Sequence, residues 1–287
     1  MKKNKLFIIG LILTLVFSFL ALFGPYIAPY EYDSQELESR LQGPSRDYPL
    51  GTDEFGRCLL SRLLYGTRIT LGASFFAALF TAIIGILLGL IAGYYSGFID
   101  EIIMRLTDIV LSFPAIILTL VLVGIMGPSL TNIVIAMTLV GWTHYARVVR
   151  GLVLSIKEEP YVKSAKAMGA SNTYLMFKHI LPNTLSPIIV MFTLGMGTRI
   201  ITISGLSFLG LGAGPPLPEW GRILDQGVSY MGRAPYLSIF PGLSIMLAVL
   251  TFNILGDGLR DYLSPYNNYQ FSQYTGEGLS QDEVSRS

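Results

Sequence analysis

The groups that could do chemistry in this chain are few. His144 and His179 are the only histidines and Cys58 the only cysteine, so an internal disulfide and a thiolate metal cluster are both excluded. No carboxylates are paired as an acid and base, no His/Cys set has metal spacing, and no nucleophile stands beside a base. His144 reads as a polar residue near a helix end rather than as a ligand. A glycine-rich loop ending in Gly-Lys-Ser/Thr, which would cradle a triphosphate, is absent from the sequence. No catalytic residue, metal site or directly bound cofactor is therefore expected. The group that stands out is Arg199, within the apolar stretch 185–205. Gly195, Thr198, Arg199 and Thr202 fall on one helical face. A cation at membrane depth is costly unless it faces water, a partner or a ligand. Two readings stand: Arg199 snorkels or pairs with a neighbouring helix, or it lines a polar passage with Thr198 and Thr202.

The elements that must position these residues follow from composition. Apolar residues make up 52% of the chain and charged residues 14%, against about 25% charged in soluble domains. The lipid bilayer is the expected solvent. A net charge of +1 offers no basic surface for nucleic acid. Apolar stretches long enough to cross a membrane occur at 6–27, 71–94, 109–125, 130–149, 185–205 and 237–255. The first follows Lys2, Lys3 and Lys5 like a signal peptide. Its apolar run exceeds a usual signal core and no small-residue cleavage pattern closes it, so it is taken as an uncleaved helix. The expected fold is thus an all-α polytopic membrane protein with six transmembrane helices.

Between the first two stretches, residues 29–68 are too polar to span. Phe55, Leu59, Leu60, Leu63 and Leu64 fall on one helical side, and Arg57, Ser61 and Arg62 on the other, which predicts an interfacial helix lying along the membrane. Gly85, Gly89 and Gly93, each four apart, give the second span a smooth face for close packing. Arg105 and Asp108 are spaced to pair across one helix turn, and Pro114 predicts a kink in the third span. The Gly- and Pro-rich stretch after the fifth span predicts a short re-entrant helix within 215–230. Residues 266–287, rich in Ser, Gln and Gly, read as a disordered tail.

A polar island at 158–183, EEPYVKSAKAMGASNTYLMFKHILPN, separates two apolar spans. Pro160 opens a short helix, Gly169 stops it, and Ser171 can cap a second. On that second helix Tyr174, Leu175, Phe177 and Leu181 give the apolar side, with Lys178 and His179 polar. An incidental loop with two amphipathic helices is the plain reading. The spacing, however, resembles the coupling loop of the permease subunits of ATP-binding-cassette importers, with Ala165, Gly169, Leu181 and Pro182 at matching positions. Lys163, Ser164 and His179 replace the usual Glu, Ala and Ile. Two further stretches carry the resemblance. Leu50, Gly51, Thr52, Asp53, Gly56, Arg57, Ser61, Arg62, Gly66 and Arg68 match the peptide and nickel branch, from which Tyr48 and Cys58 depart. The string LSFLGLG is followed by Pro215, Pro216, Trp220 and Gly221, with Ile203 where an acidic residue is common.

The resemblance implies a five-helix permease core at 69–265 plus a peripheral first helix at 1–28, and a subunit that moves peptides or nickel-type metal chelates inward. It implies that Lys163, Ser164, Ala165, Gly169, Leu181 and Pro182 meet an ATPase; the pathway candidates are Thr198, Arg199 and Thr202, from their shared face of an apolar span, with Trp220. The implied partners are a paralogous permease, two ATPase subunits that use the ATP, and an extracytoplasmic binding protein. Lysine and arginine placement puts the amino terminus, the island and the carboxyl terminus on the cytoplasmic side of what the resemblance makes a bacterial plasma membrane. A secondary transporter or channel working without ATP is the rival. It would be expected to show an intramembrane acid or histidine relay or an inverted repeat, and neither is evident.

Overall fold

The computed structural model describes residues 3–263; the expected tail at 266–287 lies outside them. Its helices run α1 (Lys3–Ile27), α2 (Leu59–Tyr95), α3 (Gly97–Leu111), α4 (Ala115–Met126), α5 (Leu130–Ile156), α6 (Pro160–Ala167), α7 (Asn172–Tyr174), α8 (Leu181–Phe208), α9 (Trp220–Val228) and α10 (Tyr236–Leu263), with a π-helical turn at Leu175–Ile180 leading into α8. By length and composition α1, α2, α8 with its lead-in, and α10 are each able to cross a membrane, and the bent pair α3–α4 is a fifth when counted as one broken span. The sixth is α5. Its 27 residues extend about 40 Å at 1.5 Å per residue, and it packs along α2, while Arg147 and Arg150 lower the apolarity of its second half.

The seam between α2 and α5 is built on the glycine stripe. A Cβ on Gly89 would stand 2.6 Å from the carbonyl oxygen of Ala146, and one on Gly93 2.9 Å from that of Arg150. Bare backbone on α2 is therefore what lets the two axes approach. Helix α1 lies outside the bundle against α10 and α2, as a peripheral helix should.

Three local expectations are corrected. There is no separate interfacial helix: residues 59–68 are the first turns of α2, and the side carrying Arg57, Ser61 and Arg62 is turned inward. The reason is a buried carboxylate. Asp53 accepts from Arg57 Nε at 2.7 Å, from the backbone N–H of Phe55 at 2.9 Å and of Arg57 at 3.0 Å, and from Arg62 Nη1. Arg62 then reaches Gln226 of α9 at 3.0 Å. A polar face can be buried when its charges are neutralised within it. Second, Pro114 does more than kink a span. It lacks an N–H and disfavours helical geometry at Phe113, so α3 and α4 are separate helices bent by 87°. Third, Arg105 does not pair with Asp108. Arg105 meets Glu101 at 3.5 Å, and Asp108 accepts from Arg147 of α5 at 2.6 Å.

The short helix expected within 215–230 is α9, inserted against α8, α10 and α2. Glu219 caps it, accepting from the backbone N–H of Arg222 at 3.1 Å while Thr70 of α2 and Ser204 of α8 donate to its other oxygen.

The Asp53 cluster generates a prediction. Asp53→Ala leaves two buried guanidinium groups without their main counter-charge and should cost about 3–5 kcal/mol. Thermal unfolding of the purified protein in detergent checks this against Asp33→Ala, an exposed control expected to be neutral. Equal midpoints for the two variants would show that the cluster is not holding residues 29–58 in place.

Candidate functional site

The island folds as helix, turn, helix. Pro160 is the first residue of α6, where its missing N–H is tolerated. Gly169 adopts φ +90°, the left-handed region that ends helices readily only at glycine, and nothing lies within 4 Å of the place a Cβ would take. Ser171 caps α7, accepting from the backbone N–H of Tyr174 at 3.3 Å. Of the six expected contact residues, Ala165 is buried against the bundle, and Leu181 is partly buried. Lys163, Ser164, Gly169 and Pro182 are exposed. Lys163 donates to Glu158 at 2.9 Å and holds that carboxyl below its ordinary range, chiefly through this hydrogen bond. Met168, at 82% exposed, is an apolar side chain presented outward at the turn.

The apolar side of the second helix differs from expectation. Leu175, Met176 and Ile180 are buried, while Tyr174 and Phe177 are about half exposed. The cause is the π-helical turn. Bonds from i to i+5 place residues 175 and 180 on one face, whereas an α-helical period would pair Tyr174 with Phe177 and Leu181. Val162, Ala165, Leu175, Met176 and Ile180 join Tyr145, Val149 and Val153 of α5 and Leu90 of α2 in one buried cluster. Tyr94 donates to Asn172 at 2.7 Å, and Lys157 donates to the carbonyl of Gly93 at 2.9 Å. The island is thus an extension of the core.

Thr198, Arg199 and Thr202 do come together. With Gly195 they form one wall of a cleft of about 470 Å³ whose other walls are Gly141, His144 and Tyr145 of α5 and Ile116 and Thr119 of α4. Trp220 is not there. It is 1% exposed, its indole N–H donates to the carbonyl of Leu63 at 3.2 Å, and its ring meets Phe17 edge-on. Sequence pattern alone could not separate an aromatic that plugs the helix junction from one that lines a passage.

Arg199 donates from Nη1 to the carbonyl of Gly195, one turn back, at 3.0 Å, and its Nε is buried without an acceptor. No carboxylate among the described residues pairs with it. Tyr145, 3% exposed, also has a hydroxyl without a partner. A Cβ on Gly195 would lie 2.5 Å from Arg199 Nη1 and 3.7 Å from the Tyr145 hydroxyl, so both groups converge over bare backbone. A Cβ on Gly141 would stand 2.9 Å from Thr81 Cγ2 and 3.7 Å from Arg199 Nη2. A guanidinium and a phenol with spare donors suit an anion such as a carboxylate. Tyr145 was not singled out by its sequence position. Only its approach across the α5–α8 boundary distinguishes it from the other tyrosines. His144 stands on the cleft wall rather than at a helix end.

Comparison with known proteins agrees with this architecture. The dipeptide transport system permease protein DppC of Alkalihalophilus pseudofirmus is 48% identical over 265 residues, covering 92% of this chain and 87% of the relative. The glutathione transport system permease protein GsiD of Pectobacterium atrosepticum is 46% identical, covering 86% of this chain and 82% of its own. Among solved structures, an inward-facing conformation of the MetNI methionine ABC transporter aligns with a TM-score of 0.58 over 71% of this chain and 96% of that one, at 20% identity, which shows the shared fold. Residues 1–44 match the N-terminal transmembrane domain of oligopeptide transport permease C. Residues 85–267 match the binding-protein-dependent transport system inner membrane component, and it is to this family of transport permeases that the chain belongs.

Proposed function

We propose that the chain is the membrane-spanning subunit of an ATP-driven importer of peptides, that its island receives the ATPase, and that the Arg199 cleft lies on the cargo's path. The observation that carries this reading is the single buried cluster shared by the island and the cleft wall. Val162, Ala165, Leu175, Met176 and Ile180 pack in one body with Tyr145. Close-packed interiors transmit displacement rather than absorb it. Force applied to the island by an ATPase therefore reaches the side of the cleft that carries the Tyr145 hydroxyl. The relatives named above are peptide permeases, and peptides are accordingly preferred to nickel chelates as cargo.

In this reading ATP is bound and hydrolysed by partner subunits, a second permease completes the passage, and a binding protein delivers cargo from outside. The amino terminus and the island face the cytoplasm, where Arg147, Arg150, Lys157, Lys163, Lys166 and Lys178 satisfy the positive-inside rule. Residues 29–58 face outward. Residues 1–28 form the peripheral helix, 69–265 the permease domain, and 158–183 the coupling loop.

Two outcomes test the proposal. Gly169→Val has space for its side chain but not for its backbone, since a β-branched residue at φ +90° is strained. The variant should insert at normal level yet import roughly tenfold less per ATP hydrolysed, as strain of ~1–3 kcal/mol predicts. Normal coupling at normal abundance would remove the island from the ATPase contact. For the cleft, Arg199→Gln should lower uptake of an anionic dipeptide by about tenfold, the worth of a hydrogen bond to a charged group. A neutral dipeptide delivered by saturated binding protein should be little affected, and Arg199→Lys should be milder. Uptake and ATPase rate are measured together in vesicles holding the whole complex. Equal loss for both cargoes, with the complex dissociating in detergent, would make Arg199 a helix partner.

A further inference from the structure

Helix α1 stands partly off the bundle. Between it and α2, α8 and α10 opens a crevice of about 620 Å³, with Phe75, Phe192 and Phe252 on its inner walls and Ser18 on the α1 side. A void of this size inside a bilayer forfeits the contacts of every atom lining it, and an apolar one does not hold water. Something must fill it. An acyl chain is one methylene wide.

Helix α2 itself indicates what the crevice accommodates. Four of its five glycines, Gly66, Gly85, Gly89 and Gly93, face neighbouring backbone or side chains so closely that a Cβ would collide. Gly72 is the exception. It lines the crevice, and nothing lies within 4 Å of the position its Cβ would occupy. A glycine in a helix interior weakens the helix, and here no protein contact offsets that loss. The bare strip is a smooth surface with no protein neighbour to use it.

Arg68 supplies the polar end. It stands one helical turn before Gly72 and three residues before Leu71, where the apolar run of the second span begins, so it lies at the level where lipid headgroups meet hydrocarbon. It lines the same crevice, it is exposed, and among the described residues it has neither an ion pair nor a side-chain hydrogen bond. The two arginines before it are consumed by Asp53. A free guanidinium at the mouth of an apolar groove complements a phosphate that carries an acyl chain.

We propose that this crevice is a phospholipid site, with the headgroup phosphate on Arg68 and one acyl chain laid over Gly72 and Phe75. The lipid completes the packing between α1 and the bundle. It is held more firmly when its headgroup carries net negative charge, because no choline or amine then competes for the phosphate. The site is independent of the cargo reading and stands whatever the importer carries.

Native mass spectrometry tests this on the complex purified through this chain and supplied with mixed phosphatidylglycerol and phosphatidylcholine. The wild type should retain one phosphatidylglycerol per copy of the chain after bulk lipid is stripped. Gly72→Leu, whose side chain enters open space, should lose it. Arg68→Gln keeps the crevice and should weaken retention about tenfold while reducing the preference over phosphatidylcholine. Full retention in Gly72→Leu overturns the site. Loss in Gly72→Leu with unchanged retention and preference in Arg68→Gln overturns the headgroup assignment. A cysteine introduced at Ser18 that crosslinks to another subunit, with no lipid retained, would show that protein fills the crevice and overturn the proposal outright.

Discussion

The contact on which the rest of this structure depends is the close approach of α2 and α5 along Gly85, Gly89 and Gly93. Without a hydrophobic driving force between helices in lipid, close packing must supply the attraction, and it works only where side chains do not hold the backbones apart. The stripe fixes more than one helix pair. Residues of α5 that sit on Gly85 and Gly89 include Tyr145 and Ala146. The same seam that joins the two longest-packed helices therefore sets where the Tyr145 hydroxyl emerges in the cleft. It also carries the cluster that reaches down to the island.

Arg62, buried, and Arg199, half-buried, show how the same side chain is used in opposite ways. Arg62 is 1% exposed and bonds to Asp53 and Gln226, tying the first turn of α2 to residues 29–58 and to α9. Its charge is neutralised inside the protein by Asp53, so it holds structure together even though its Nε has no acceptor. Arg199 has only the carbonyl of Gly195. Its desolvation is not offset by any carboxylate among the described residues, and the residue lines a cleft with its Nε unpaired. Breaking a buried pair is costly because it leaves such an uncompensated charge. A protein that keeps one must meet it with water, a partner or cargo.

Much of this was legible in the sequence where a residue's effect is local. Apolar run length marked the spans, Gly169 marked the left-handed turn, and the four-residue glycine spacing marked the seam. Thr198, Arg199 and Thr202 follow from helical period alone, and they share a cleft. What was not legible depended on distant partners. Arg57 and Arg62 looked like the wet side of an interfacial helix because Asp53 and Gln226 could not be placed opposite them. Of the apolar side expected at 174–181, Leu175 is buried and Leu181 partly so, whereas Tyr174 and Phe177 are exposed because a π-helical turn changes the period that pattern reading assumes. Pro114 announced a disturbance but not its size. Trp220 looked like a pathway residue because its anchors, Leu63 and Thr70, come from a helix some 150 residues earlier.

The π-helical turn also has a mechanical meaning. It lies at the end of the island, leading directly into α8, the helix that carries Arg199, while the other wall of the cleft belongs to α5, packed on α2. A π turn, held by i to i+5 bonds, is rare and wider than an α-helical turn, and it is kept here with Leu175, Met176 and Ile180 buried. Packing against the cluster thus maintains a local backbone form that an isolated helix would not keep. Displacing α6 changes that packing first, and the least regular turn between α6 and the cleft is where the displacement can be taken up without breaking either long helix. On the proposed reading, the change reaches α8 as a shift of its first turn, so the two donors over Gly195 separate or converge according to the position of the island. An anion held between them lowers the cost of their convergence. Cargo and island then bias the same movement, which is the condition for two distant sites to be coupled.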